Sequence, residues 1–321
     1  MKFLKVLFMG AWQVVYGVKK LLARGDKAER KPKLFLKGRH AQMLLAARRG
    51  NVKAQLELAT CYSLGDGLEQ NYAEAAHWFG EAARNGNARG QFSFGVCYAN
   101  GQGVGQDYEE AARWFRQSAE QNNAAAQVSL GLCLQKGLGV YPSPQEAVYW
   151  FRLAAESGDA AGQMSLASCL QHGEGAAKNE AEALAWFRKA AAQGLAEAEF
   201  NAGKCLQGGL GAAVNEAEAF KWFATAAEKG LPQAEFEVGL CHWRGRGTEV
   251  DVPEAFAWLT LAARRALPAA REVLDRLQAE MIPGLIEEGM RRLDRLAPSE
   301  PETPPEKLEA EPEVDVKFPS D

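Results

Sequence analysis

Six cysteines, at positions 61, 97, 133, 169, 205 and 241, are the residues of this chain best suited to covalent or metal chemistry, and they recur every 36 residues. Paired thiols would form disulfides, and clustered thiolates would hold zinc. The even spacing argues against both. Equivalent positions on stacked helices lie about one packing distance apart, roughly 8–10 Å, whereas a disulfide needs Cα atoms within about 7 Å. Each cysteine therefore reads as a small buried hydrophobe beside Leu58 and its equivalents, and six unpaired thiols suit a reducing compartment. His40, His77, His172 and His242 show no paired metal spacing and no adjacent nucleophile. The run Gly101-Gln102-Gly103-Val104-Gly105 has no preceding strand to make it a nucleotide loop. No catalytic constellation emerges, no metal, cofactor or small-molecule substrate is implied, and a hydrolase is the least favoured function.

The elements that position these residues follow from a second series. Tryptophans at 78, 114, 150, 186, 222 and 258 keep the same interval. Around the first, small residues at 75, 82 and 83 with aromatics at 78 and 79 give the i, i+3, i+4, i+7, i+8 stripe of a helix buried on one face. Asn71, Asp107, Ser143, Asn179, Asn215 and Asp251 each precede such a stripe, with Glu74, Glu110, Glu146, Glu182, Glu218 and Glu254 three residues on, which is a capping box in every copy. Glycine pairs such as Gly65 and Gly67, or Gly137 and Gly139, lie just before each cap and can end a preceding helix with a left-handed turn. That preceding helix carries Ala54, Leu58, Ala59 and Tyr62 in the first copy and Gly90, Phe94, Gly95 and Tyr98 in the second.

The recurring text A-x3-L-G-x2-Y-x2-G-x-G, then E-A-x2-W-F-x2-A-A-x2-G, resembles the Sel1-like subfamily of tetratricopeptide-type repeats over residues 50–265. The resemblance implies an all-α fold, a right-handed helical-hairpin solenoid of six 36-residue Sel1-like repeats with capping helices. The expected organisation is a basic amphipathic helix over 1–25, a basic linker over 26–38, an N-terminal capping helix over 39–50, six repeats over 51–265, C-terminal capping helices over 266–296 and a disordered acidic Pro/Glu tail over 297–321. Some relatives carry a bridged cysteine pair in each repeat. This chain has one cysteine where they have two, so neither their oxidising compartment nor any activity proposed for them carries over.

The resemblance also implies where a partner binds, because first helices line the concave face of such solenoids. The residues expected there are Lys53, Glu57 and Thr60; Arg89, Ser93, Val96 and Asn100; Ser129, Leu132 and Lys136; Ser165, Ser168 and His172; Asn201 and Lys204; and Gln233, Glu237, Leu240 and Arg244. Unlike the core positions they differ from copy to copy, as side chains free of a folding role do. The expected function is a non-enzymatic scaffold holding a segment of another protein in that groove.

Net charge, −4 overall, is unevenly spread: residues 1–49 carry +11, residues 297–321 carry −6, and the body between them carries −9. An acidic body disfavours nucleic acid as a partner. Residues 3–22 place Phe3, Leu4, Leu7, Phe8, Ala11, Val14, Val15, Val18, Leu21 and Leu22 on one helical face. Lys2, Lys5, Lys19, Lys20 and Arg24 supply its basic charge, a form suited to an anionic membrane surface. A signal or anchor that exports the chain, as a host-interaction or envelope-assembly factor, and simple packing against the first repeat are the alternatives. The leading expectation is a cytoplasmic protein peripheral to the inner membrane.

Overall fold

The computed structural model describes residues 33–296, with side chains from residue 38 onward. The amphipathic helix expected over 1–25 with Lys2, Lys5, Lys19, Lys20 and Arg24, most of the linker, and the tail over 297–321 lie outside the described residues.

All regular elements among the described residues are helices, and the chain divides into two compact units at Leu231. In the first, α1 (Lys33–Arg48) precedes five helical hairpins: α2 (Val52–Leu64) with α3 (Tyr72–Arg84), α4 (Ala88–Asn100) with α5 (Tyr108–Ala119), α6 (Ala124–Lys136) with α7 (Pro144–Glu156), α8 (Ala160–His172) with α9 (Glu180–Ala192), and α10 (Ala196–Gly208) with α11 (Glu216–Glu228). The second holds one hairpin, α12 (Pro232–Arg244) with α13 (Val252–Arg264), followed by α14 (Pro268–Glu280) and α15 (Pro283–Leu296). We call the first helix of each hairpin A and the second B. The helix expected over 39–50 starts earlier, at Lys33, because the 36-residue register marks only the part of it that repeats.

The capping boxes form by half. Asn71, Asp107, Ser143, Asn179, Asn215 and Asp251 each accept a hydrogen bond from the amide of the glutamate three residues on. The reciprocal bond, in which that glutamate's carboxylate would accept from the cap N–H, is replaced. The cap N–H instead donates to a carbonyl in the preceding A helix, as Ser143 does to Leu134 at 2.9 Å and Asn179 to Leu170 at 2.8 Å, so the cap ties the two helices of a hairpin together. In five copies the glutamate accepts from the indole Nε1 four residues on, as Glu74 does from Trp78 at 3.2 Å and Glu254 from Trp258 at 3.1 Å.

The glutamates also join one repeat to the next. Arg116 donates to Glu146 at 2.7 Å, Arg152 to Glu182 at 2.9 Å and Arg188 to Glu218 at 2.7 Å, each from one B helix to the start of the following one. The arginine hydrogen bonds hold Glu146 and Glu182 below the usual carboxylate range. Glycine at 80 and alanine at 224 interrupt this arginine column. Glu254 is met instead by Arg292 of α15, which bonds Asp251 at 2.6 Å, Glu254 at 3.2 Å and Glu288 at 2.9 Å. These side chains are partly exposed, so each rung is worth little: Arg152→Ala is expected to cost about 0.5–1 kcal/mol, less in high salt. A double-mutant cycle with Glu182→Ala, read by urea denaturation, checks this.

Aromatic packing holds each hairpin. Phe115, Phe151, Phe187, Phe223 and Leu259 are at most 1% exposed, deeper than the neighbouring tryptophans, of which Trp78, Trp150 and Trp258 are buried and Trp114, Trp186 and Trp222 half-buried. The A helix answers four of these side chains with glycine. A Cβ on Gly95 would stand 2.7 Å from the Phe115 ring, one on Gly131 2.5 Å from Phe151, one on Gly203 2.6 Å from Phe223 and one on Gly239 2.7 Å from Leu259. Turn glycines serve a second close approach: a Cβ on Gly103, Gly139, Gly175 or Gly211 would overlap the backbone at the first residue of the B helix one repeat earlier.

Candidate functional site

The A helices are built for close packing on one side and variability on the other. In the first four copies the position of Gln55 is glutamine, and its side-chain amide donates to the carbonyl of the preceding helix end, Gln55 to Ala47 at 3.1 Å and Gln127 to Ala119 at 3.2 Å. In three of these copies its side-chain oxygen also accepts from the amide of a residue thirty on, Asn85, Gln121 or Gln193. The fifth and sixth copies have Glu199 and Glu235 there, and the residue thirty on becomes Lys229 or Arg265, so amide pairs give way to ion pairs between a buried carboxylate and an exposed cation. Glu235 is fully buried, and Arg265 Nε stands 3.0 Å from its Oε1. Burial pushes its carboxyl up to about 6 against the lowering effect of Arg265. These columns were missed in sequence; the joint change from Gln with Asn, Gln or Ser to Glu with Lys or Arg was the available signal.

The cysteines occupy the packed side. Cys97, Cys133, Cys169, Cys205 and Cys241 are buried, Cys61 is half-buried and none of the six is joined in a disulfide. Burial pushes Cys97 and Cys133 up to about 12, so these thiols are poor nucleophiles. Gln135 and Gln171 reach the sulfurs of Cys169 and Cys205, at 3.9 and 3.5 Å. Among the described residues no group of three His, Cys, Asp or Glu side chains stands close enough to hold a metal ion. The histidines are scattered: His77 is exposed and stacks edge-on against Trp78, His172 is exposed with Nδ1 2.9 Å from the Ser168 carbonyl, and His40 is buried. No described helix is long and apolar enough to cross a membrane.

Positions expected to face a partner divide into three groups. Lys53, Glu57, Arg89, Lys136 and His172 of the first unit are exposed, as are Gln233 and Arg244 of the second. Thr60, Leu132, Ser165, Ser168, Asn201 and Lys204 are half-buried, and so are Glu237 and Leu240 in the second unit. Ser93, Val96, Asn100 and Ser129 do not fit the expectation: they are buried, at 1%, 3%, 9% and 1% exposure. The sequence reading assumed one exposure for one register position, whereas exposure depends on what lies above each helix. Several of the remaining side chains already have local bonds, Thr60 to the Leu56 carbonyl at 2.8 Å and Lys204 to Gln207 at 2.7 Å. The Asn100 carboxamide has no hydrogen-bond partner. Asn100→Leu is therefore expected to be neutral or to stabilise by about 1 kcal/mol, measured by thermal and urea denaturation.

Comparison with known proteins follows the same repeats. Residues 52–87, 88–123, 124–159, 160–195, 196–231 and 232–267 each match the Sel1 repeat. The crystal structure of a Sel1 repeat protein from Oxalobacter formigenes is similar at 29% identity and a TM-score of 0.62, over 66% of this chain and 85% of that one. The crystal structure of c5321, described as a protective antigen of uropathogenic Escherichia coli strains with an SLR fold, is similar at 31% identity and a TM-score of 0.54, over 80% of this chain. The match spans 63% of that protein's length. No curated protein matches the chain.

Proposed function

The chain belongs to the Sel1 repeat family, whose members are generally non-catalytic protein-interaction scaffolds, and from that premise we propose that it is an adaptor holding a segment of another protein against the A-helix face of its repeats. One observation carries this reading: the core positions of the A helices recur from copy to copy, while Leu132, Lys136, Ser168, Asn201 and Lys204 stand at positions whose residue type varies and remain exposed or half-buried, as does Ser165. Serine and asparagine there supply hydrogen bonds to an extended or helical segment, and Leu132 supplies apolar contact. Gln233, Glu237, Leu240 and Arg244 present a corresponding face on the second unit.

Affinity purification with mass spectrometry tests this. Proteins co-purifying with the wild-type chain should be lost when Ser165, Ser168 and Asn201 are all changed to Arg. An unchanged set of co-purifying proteins from a correctly folded variant would overturn the groove assignment.

We place the protein in the cytoplasm, resting on the anionic inner membrane surface through Lys2, Lys5, Lys19, Lys20 and Arg24. Sedimentation with phosphatidylserine vesicles should fall when these five residues are changed to Gln. The protective-antigen description of the Escherichia coli protein favours a second reading, in which this chain acts outside the cytoplasm. N-terminal sequencing of the mature protein separates the two, because export through a signal would remove the residues before about Val18.

A further inference from the structure

A cleft of about 250 Å³ lies over Gly80 of α3, walled by Ala73, Ala76, His77 and Arg84 of the same helix, Phe94 of α4 and Val104 of the turn before α5. The four α3 side chains stand seven, four and three residues before Gly80 and four after it, so the cleft is centred on that glycine. In register, position 80 corresponds to Arg116, Arg152 and Arg188, whose side chains cross to Glu146, Glu182 and Glu218. The cleft is thus the space that an arginine stem takes in the next three repeats.

Glu110, the acceptor that such an arginine would meet, is retained. It corresponds to Glu146 but lacks both of the bonds that hold Glu146, from Arg116 and from the Trp150 indole. The Trp114 ring packs against Phe94 instead, with 5.4 Å between centroids. Oε1 of Glu110 accepts from Arg113 of its own helix, a side chain that is 61% exposed and shared with Glu109. Oε2 has no partner among the described residues. The cations of the wall do not oppose a further one: Arg84 is already paired with Glu81 at 2.6 Å, and His77 stacks edge-on against Trp78.

The other interruption of the column shows what can fill such a gap. Position 224 is alanine, and Glu254, thirty residues on, is met by Arg292 and Arg295 of α15. An arginine from outside the repeat can take the rung's place.

We infer that the cleft over Gly80 is a docking site for one arginine side chain of a partner protein, with its methylenes along the buried Phe94 ring and its guanidinium on Oε2 of Glu110. The planar fork meets a carboxylate and lies flat on an aromatic ring, which the compact ammonium of lysine does less well. The site belongs to the B-helix side and goes beyond the adaptor reading: it stands whether or not the A-helix face holds a segment.

Heteronuclear NMR spectra of the full chain test it through the indole signal of Trp114, assigned with Trp114→Phe. The probes are the blocked tripeptides Ala-Arg-Ala and Ala-Lys-Ala and free N-propylguanidinium. Ala-Arg-Ala should move the signal saturably and more tightly than Ala-Lys-Ala. Its affinity should fall about ten-fold in Glu110→Gln, which loses a charge-assisted hydrogen bond and keeps the shape. In Gly80→Arg, which fills the cleft from within, no probe should move the signal. An indole that no probe moves in the wild type refutes the inference, as does equal affinity for the two tripeptides or for wild type and Glu110→Gln. A response to N-propylguanidinium without one to Ala-Arg-Ala refutes it in favour of a free guanidine. A signal that shifts when the protein alone is diluted does so in favour of a second copy.

Discussion

Truncating Phe151 to alanine is expected to lower the unfolding free energy by about 3–5 kcal/mol, the range for removing a fully enclosed aromatic ring. The ring is 0% exposed, and the helix opposite presents Gly131, which has no side chain to collapse into the space. That geometry gives the prediction a second arm. Gly131→Ala alone should destabilise, because its Cβ would stand 2.5 Å from the ring and overpacking of this kind costs about 1–3 kcal/mol. With Phe151 already alanine, the same change should stabilise, since the Cβ enters the vacated space and alanine is the better helix former by about 1 kcal/mol. Urea denaturation of the two single variants and the double variant reads this reversal of sign. Additive effects would mean that the ring and the glycine do not face each other. Because each repeat contacts only its neighbours, hydrogen exchange should rise first in α6 and α7.

Replacing Glu235 by glutamine should stabilise the second unit by about 2 kcal/mol at pH 7.5 and have little effect at pH 4.5. The carboxyl is fully buried and its pKa is raised from 4.5 to about 6, chiefly by desolvation. A raised carboxyl pKa means that the folded state holds its proton more tightly than the unfolded chain. Wild-type stability attributable to this group therefore increases as pH falls from above 6 to 4.5, and the charged form is a burden at neutral pH. The rise from 4.5 to about 6 corresponds to roughly 2 kcal/mol. Glutamine, which the first four repeats use at this position, carries no such charge. His242 on the same helix works in the other direction: burial lowers its pKa, so its neutral form stabilises above pH 6.5 and that contribution is lost on acidification. Subtracting wild type from Glu235→Gln at each pH removes the histidine and leaves the carboxyl. A difference that does not change between pH 7.5 and 4.5 would refute the assignment.

How much of this was legible in the sequence depends on whether a residue type answers to local or to distant geometry. Gly65, Gly101, Gly137, Gly173 and Gly209 sit at positive φ at helix ends whatever surrounds them, so the boundaries of the A helices could be read directly. The same holds for Asn71 and its equivalents, whose side chains bond amides two or three residues away. Glu146 and Glu182 were misread in part, because a glutamate three residues after a cap has a local use, and only the tertiary structure reveals that Arg116 and Arg152, thirty residues earlier, take it. The groove was least legible. Ser129 and Ser165 are identical as letters and as register positions, and nothing in either repeat predicts that one is covered. Exposure is a property of the neighbours above a residue, which periodicity does not encode.

The arginine-to-glutamate rungs give the array a grammar for growth. Each middle copy carries both halves, a glutamate that looks backward and an arginine that looks forward: Glu146 with Arg152, and Glu182 with Arg188. An in-frame duplication of residues 124–159 would thus supply its own connectors at both junctions and lengthen the molecule without orphaning a charge. Duplicating the first copy would not, since glycine at 80 offers nothing to the copy that follows. Lineages descended from this chain should gain and lose whole cassettes from the centre, while the terminal copies persist as fixed bookends.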